Sequence, residues 1–129
     1  LLGSEEFAVE LKKAVAGLPP DMRKDLAGVP VEVEDLPAAD DLTSGEPPLS
    51  PTILGLFRGP PLNEPCEVGP KRERGQSAAC RSVAIYRKNL ARAVNSREEL
   101  IEQIRVTLLH EVGHLRGEDD FELAARGLE

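Results

Sequence analysis

The chain has 129 residues, enough for one domain and too few for two ordinary ones, and its 40% hydrophobic and 30% charged residues are a globular balance. It contains no Trp, one Tyr and three Phe, so its core must be aliphatic. A net charge of −7 argues against a general nucleic-acid binder, and no apolar run approaches the ~20 residues of a membrane span.

The charge is uneven. Residues 1–68 hold 5 basic and 13 acidic groups, residues 69–92 hold 7 and 1, and residues 93–129 hold 4 and 9. The basic middle either meets an acidic partner or neutralises its own neighbours. No basic-then-apolar signal segment opens the chain, and the expectation is a cytoplasmic protein. One domain is expected over residues 1–129.

Residues 4–17 are expected to form a helix. Ser4 is the expected N-cap, Glu5, Glu6 and Glu10 favour the positive end of the helix dipole, and Phe7, Leu11, Ala14 and Val15 recur at helical spacing. Gly17 and Pro19-Pro20 end it. Val29, Val31 and Val33 alternate with Pro30, Glu32 and Glu34, the pattern of a half-exposed strand. Residues 36–52 carry four Pro and the pair Asp40-Asp41, a long loop.

The apolar run Ile53-Leu54-Gly55-Leu56-Phe57 is expected as a buried strand. A second Gly- and Pro-rich loop covers residues 59–77 and holds the cluster Lys71-Arg72-Glu73-Arg74. Cys66 and Cys80 lie 14 residues apart, without CxxC spacing; they form one bridge or stay as two thiols. Residues 82–86 predict a third strand at the sheet edge, where a peptide could add by strand pairing. The two loops are candidates for rimming the cleft.

Ser96-Arg97-Glu98-Glu99 matches a capping box and opens the clearest element, a helix to about Leu115 that Gly117 ends. At ~100° per residue, Ile101, Ile104, Leu108, Val112 and Leu115 share one stripe. His110 and His114 fall on nearly the opposite side. The fold expected is α+β: an N-terminal helix, a small mixed sheet of three or four strands, and the histidine helix packed on it.

Chemistry concentrates in His110-Glu111-Val112-Gly113-His114-Leu115-Arg116-Gly117-Glu118-Asp119-Asp120. Histidines four apart on a helix project from successive turns, with Cβ atoms about 5–6 Å apart, so both rings can reach one zinc ion. Glu111 projects beside the pair, where it can take a proton from water at the metal. With two His and 16 Glu in the chain, this arrangement arises by chance roughly once in 500. The bland alternative is a histidine pair that only packs, and the pair's place off the core stripe weighs against it.

A catalytic zinc wants a third protein ligand and an open fourth position. Asp120 can supply the ligand if Gly117 takes a positive φ and turns the chain back. Glu118 and Asp119 are the fallbacks.

The form HExxHxxGxxD resembles the extended metzincin motif of the zincin metallopeptidases, with Asp where His is usual, as in snapalysin-type peptidases. More closely, the chain resembles a family of small bacterial zincin-like zinc metallopeptidases with an MMP-like minimal domain. Residues 53–62 and 83–87 are similar to that family's other recurrent segments, so the likeness spans most of residues 4–125. It implies a minimal zincin-like fold and one zinc ion held by His110, His114 and Asp120. It also implies Glu111 as catalytic base and a peptide or protein as substrate, with neither nucleic acid nor membrane as partner. The sequence departs from metzincins in lacking a Met-turn: its one Met, Met22, lies far upstream. No third His offers a second donor to the oxyanion, which leaves Tyr86 or an Arg. The alternative readings are a non-catalytic zinc-binding module that holds a peptide, and hydrolysis of a non-peptide amide.

Overall fold

The computed structural model of the chain describes residues 2–43, 48–66 and 80–117. Among them the elements run α1 (Ser4–Ala16), α2 (Pro20–Asp25), β1 (Val31–Glu34), α3 (Ala39–Thr43), β2 (Gly55–Arg58), β3 (Ser82–Tyr86), α4 (Arg87–Ala93) and α5 (Arg97–Leu115). The three strands form one mixed sheet in the order β1-β3-β2. Strand β1 runs parallel to β3, with Val31 opposite Val83, and β2 runs antiparallel to it, with Gly55 opposite Ile85. This is the small α+β architecture expected.

The place of β3 differs from expectation. Ser82 to Tyr86 form the centre of the sheet, not its edge, and all five residues are buried. The alternation of Val83 and Ile85 marks one buried face. Ala84 and Tyr86 fill the other, and an apolar run without a solvent face belongs to a central strand. The strand expected at residues 53–57 is instead the half-buried edge, displaced by a residue or two to Gly55–Arg58.

Helices α1 and α5 cover the sheet face that carries Val83 and Ile85. Phe7 and Leu11 meet Leu100, Ile104, Leu108, Val112 and Leu115 in one aliphatic cluster. Ile101, expected in that stripe, is only half-buried, and Leu100 takes its place. The cap of α1 is Gly3; Ser4 is already helical and makes no side-chain cap. Helix α1 ends at Ala16, before Gly17 and Pro19-Pro20 as expected, and Pro20 also opens α2, because its missing N–H costs nothing in a first turn. Helix α3 lies inside the stretch expected as loop, and α4 follows β3 without a connection.

On the opposite sheet face the Arg58 guanidinium donates to both oxygens of Glu34, at 3.0 and 2.9 Å, and to Asp41 Oδ2 at 2.8 Å. The three side chains tie β1, β2 and α3 together. Burial opposes the Arg58 charge, and hydrogen bonds to Asp41 and Glu34 more than offset it, so its pKa is raised. Tyr86 lies buried beside this cluster. Burial lifts its phenol to about 12, against the opposing pull of Arg58.

Because Tyr86 is the chain's one tyrosine, absorbance at 295 nm follows it alone. The folded chain should ionise with a midpoint near 12, and the chain in denaturant near the ordinary ~10. A phenol whose folded pKa is raised stabilises the fold fully below ~10 and loses that contribution as pH climbs through the folded value, so stability should fall between the two. A midpoint of 10 in the folded chain would place Tyr86 in water.

Candidate metal centre and cleft

Helix α5 presents the histidines because both of its ends are fixed. At its start Ser96 Oγ accepts from the Glu99 N–H at 3.1 Å, half of the expected box. Glu99 Oε2 accepts from the Asn95 N–H rather than from that of Ser96. At its end Leu115 is the last helical residue, and Gly117 follows with φ +87°. That is the left-handed turn expected at this glycine. The Gly117 N–H donates to the His114 carbonyl, and the Leu62 N–H donates to the Leu115 carbonyl at 2.7 Å.

The segment that supplies Leu62 is itself held. Arg81 donates to the carbonyls of Pro60, Pro61 and Glu64, at 2.7, 3.1 and 2.8 Å. A disulfide joins Cys66 to Cys80 across a Cα separation of 6.1 Å, which settles the choice between bridge and thiols. Residues 67–79, with the Lys71-Arg72-Glu73-Arg74 cluster, lie outside the described residues.

His110 and His114 meet edge to face, with ring centroids 4.8 Å apart and planes at 74°. Their Nε2 atoms stand 3.1 Å apart. Glu111 is buried between α5 and β2, only 6% exposed. Its neighbour across the interface is Gly55. A Cβ at Gly55 would lie 2.8 Å from Thr107 Cγ2, 3.1 Å from the Ala84 carbonyl oxygen and 3.3 Å from Glu111 Cγ. Only glycine lets β2 lie so close to the helix.

The result is a cleft of about 600 Å³ with His110, Glu111 and His114 on one wall. Leu49, Ile53, Leu56, Phe57 and Pro61 make its remaining lining largely apolar. One positioning residue escaped the sequence reading. Asn89 of α4, 4% exposed, donates to the carbonyls of Pro51 and Ile53 at 2.8 and 2.9 Å, and so pins the segment leading into β2. A lone Asn in a polar stretch carries no signal of such a role.

Tyr86 does not line the cleft; it belongs to the Arg58 cluster on the opposite sheet face. Arg116 is engaged with Asp21 and Asp25, at 3.3 and 3.2 Å. Neither supplies an oxyanion donor at the cleft. Asp120, with its fallbacks Glu118 and Asp119, lies outside the described residues. Among the described residues no group of three His, Cys, Asp or Glu forms a complete metal site.

The family model described as zincin-like metallopeptidase matches residues 26–128, which include the whole site. The chain belongs to this family. No curated protein matches it. The family implies zinc, and the zincin-like chain offers a donor pair that fits one ion. Two ligand atoms on a tetrahedral zinc at about 2.0–2.1 Å stand ~3.3 Å apart. The 3.1 Å between the histidine nitrogens is close to that spacing.

If the reversal at Gly117 builds the site, Gly117→Val should weaken zinc binding at least about tenfold, since a β-branched residue strongly resists positive φ. Leu115→Met, a tolerated swap in the buried stripe, should leave zinc affinity nearly unchanged. Competitive zinc titration compares them. Equal affinities would separate the turn from the metal.

Proposed function

We propose that the chain is a zinc-dependent peptidase whose ion is held by His110, His114 and Asp120 and whose general base is Glu111. The observation that carries this reading is the convergence of the two Nε2 atoms beside a buried glutamate, at the wall of an apolar cleft. When bound, zinc supplies a Lewis acid that lowers the pKa of a coordinated water toward ~7 and polarises a carbonyl. Glu111 accepts the proton of the attacking water and returns it to the leaving amine. His110 and His114 stay fixed through the reaction by the capped helix beneath them.

Peptide as substrate is favoured by β2. It is an edge strand next to the cleft, and a substrate backbone can pair with it while alternate side chains enter the apolar lining. This takes the place of the strand addition expected at β3, whose two sides are both paired. No described helix is long and apolar enough to cross a membrane. The Cys66–Cys80 bridge favours an oxidising compartment over the cytoplasm expected from the sequence, because cytosolic thiols are kept reduced.

Zinc-loaded chain should hydrolyse members of a random peptide library. Glu111→Gln should keep one zinc per chain and lose at least about 100-fold in turnover, the scale of a general base. His110→Ala and His114→Ala should each lose the metal. Full turnover by Glu111→Gln would remove Glu111 from the mechanism. Bound zinc with no cleavage of any peptide would favour the non-catalytic binding module.

A further inference from the structure

We propose that the groove between β1 and the first two helices is a second binding site, which takes a free single-chain fatty carboxylate. Its volume of about 440 Å³ falls within the roughly 300–1,000 Å³ of small-molecule sites. Strand alternation turns Val31 and Val33 to the groove and Glu32 and Glu34 to the opposite sheet face, where Glu34 meets Arg58. The facing wall is one side of α1, formed by Ala8, Leu11, Lys12 and Val15. Leu26 at the end of α2 closes the groove.

The lining specifies the chemistry of its occupant. Every lining residue is aliphatic except Lys12 and Arg23, and no lining side chain is a neutral hydrogen-bonding group. Such a surface fits a ligand whose polar part is one negative charge and whose remainder is hydrocarbon. Val15, Val31 and Val33 are only half-buried among the described residues. An acyl chain laid along them takes apolar surface out of water on both partners.

The two cations are available to the head group. Among the described residues neither has an ion-pair partner, and acidic neighbours in the chain are engaged elsewhere. Glu10 pairs with Lys13 at 3.3 Å, and Asp21 and Asp25 pair with Arg116, at 3.3 and 3.2 Å. Lys12 and Arg23 are both exposed, so their charges stand at the groove rim. A carboxylate can pair with them there while it stays hydrated, and only the chain is desolvated. The site shares no lining residue with the cleft and does not depend on zinc.

Titration of the zinc-loaded chain with decanoate, kept below its micelle-forming concentration, tests this in ¹³C methyl spectra. The methyl resonances of Val31 and Val33 should shift and saturate. Octanoate should bind at least about fourfold more weakly, because each buried CH₂ contributes to affinity. Decanol, with the same chain and no charge, should bind about tenfold or more weakly than decanoate. Lys12→Glu with Arg23→Glu should weaken decanoate about tenfold or more, and should leave the fold and zinc content unchanged. Ala8→Phe, which fills the groove from an exposed helix position, should weaken it similarly. The charge reversal decides the matter alone if that variant unfolds. No saturable shift at the two valines, or affinity indifferent to chain length, head group or the charge reversal, would overturn the proposal. Shifts centred on Leu49 and Ile53 would also overturn it, by assigning the carboxylate to the cleft and its metal. So would tighter binding to phosphatidylglycerol vesicles than to decanoate, which would assign the groove to a bilayer surface.

Discussion

Helix α5 must satisfy two faces at once, and the close approach of β2 at Gly55 is what allows it. One face is a seam of Leu100, Ile104, Leu108, Val112 and Leu115, sealed against α1 and the sheet. The other carries Thr107 and Glu111 beneath β2, with the histidines at the open end. Any side chain at residue 55 would collide with the Ala84 carbonyl and Thr107. The strand would then have to stand off from the helix. The cleft therefore takes its form from a strand that, without a side chain at that point, can lie directly on α5.

The second constraint is the end of the helix. A left-handed Gly117, the Leu62 N–H on the Leu115 carbonyl, the Arg81 fork on three carbonyls and the Cys66–Cys80 bridge all act within one corner of the molecule. Satisfying terminal carbonyls removes orphan acceptors and fixes the direction in which the chain leaves the helix. For the proposed coordination, in which Asp120 follows the turn, that direction matters as much as the ligand itself. The cross-link supports the same corner from the side, holding the segment that caps the helix.

Much of this was legible in the sequence wherever local physics decides. Helix α5 carries its own cap, an unbroken apolar seam and a terminating glycine, so its limits followed from residues 96–117 alone. The histidine pair and Glu111 are a local pattern, and the helix delivers them to one wall. Long-range decisions were less legible. Whether Ser82–Tyr86 is central or peripheral depends on partners some 25 and 50 residues earlier in the chain, at β2 and β1. Alternation at Val83 and Ile85 fits either place, and only the apolar Ala84 and Tyr86 on the second face hint at the centre. Helices α2, α3 and α4 have 6, 5 and 7 residues, too short to show a period. Asn89 and Arg81 act on backbone carbonyls, and a carbonyl leaves no mark in sequence.

The proposed zinc ion between His110 and His114 is the central claim, and its coordination can be observed directly. Zinc K-edge X-ray absorption on the native zinc-loaded chain should show two imidazole nitrogens and a carboxylate oxygen at about 2.0–2.2 Å, with a light-atom fourth ligand. Loss of one imidazole in either His110→Ala or His114→Ala should accompany loss of tight binding. A spectrum with sulfur at about 2.3 Å, or with a single imidazole, would contradict a metal centre built on the His110–His114 pair.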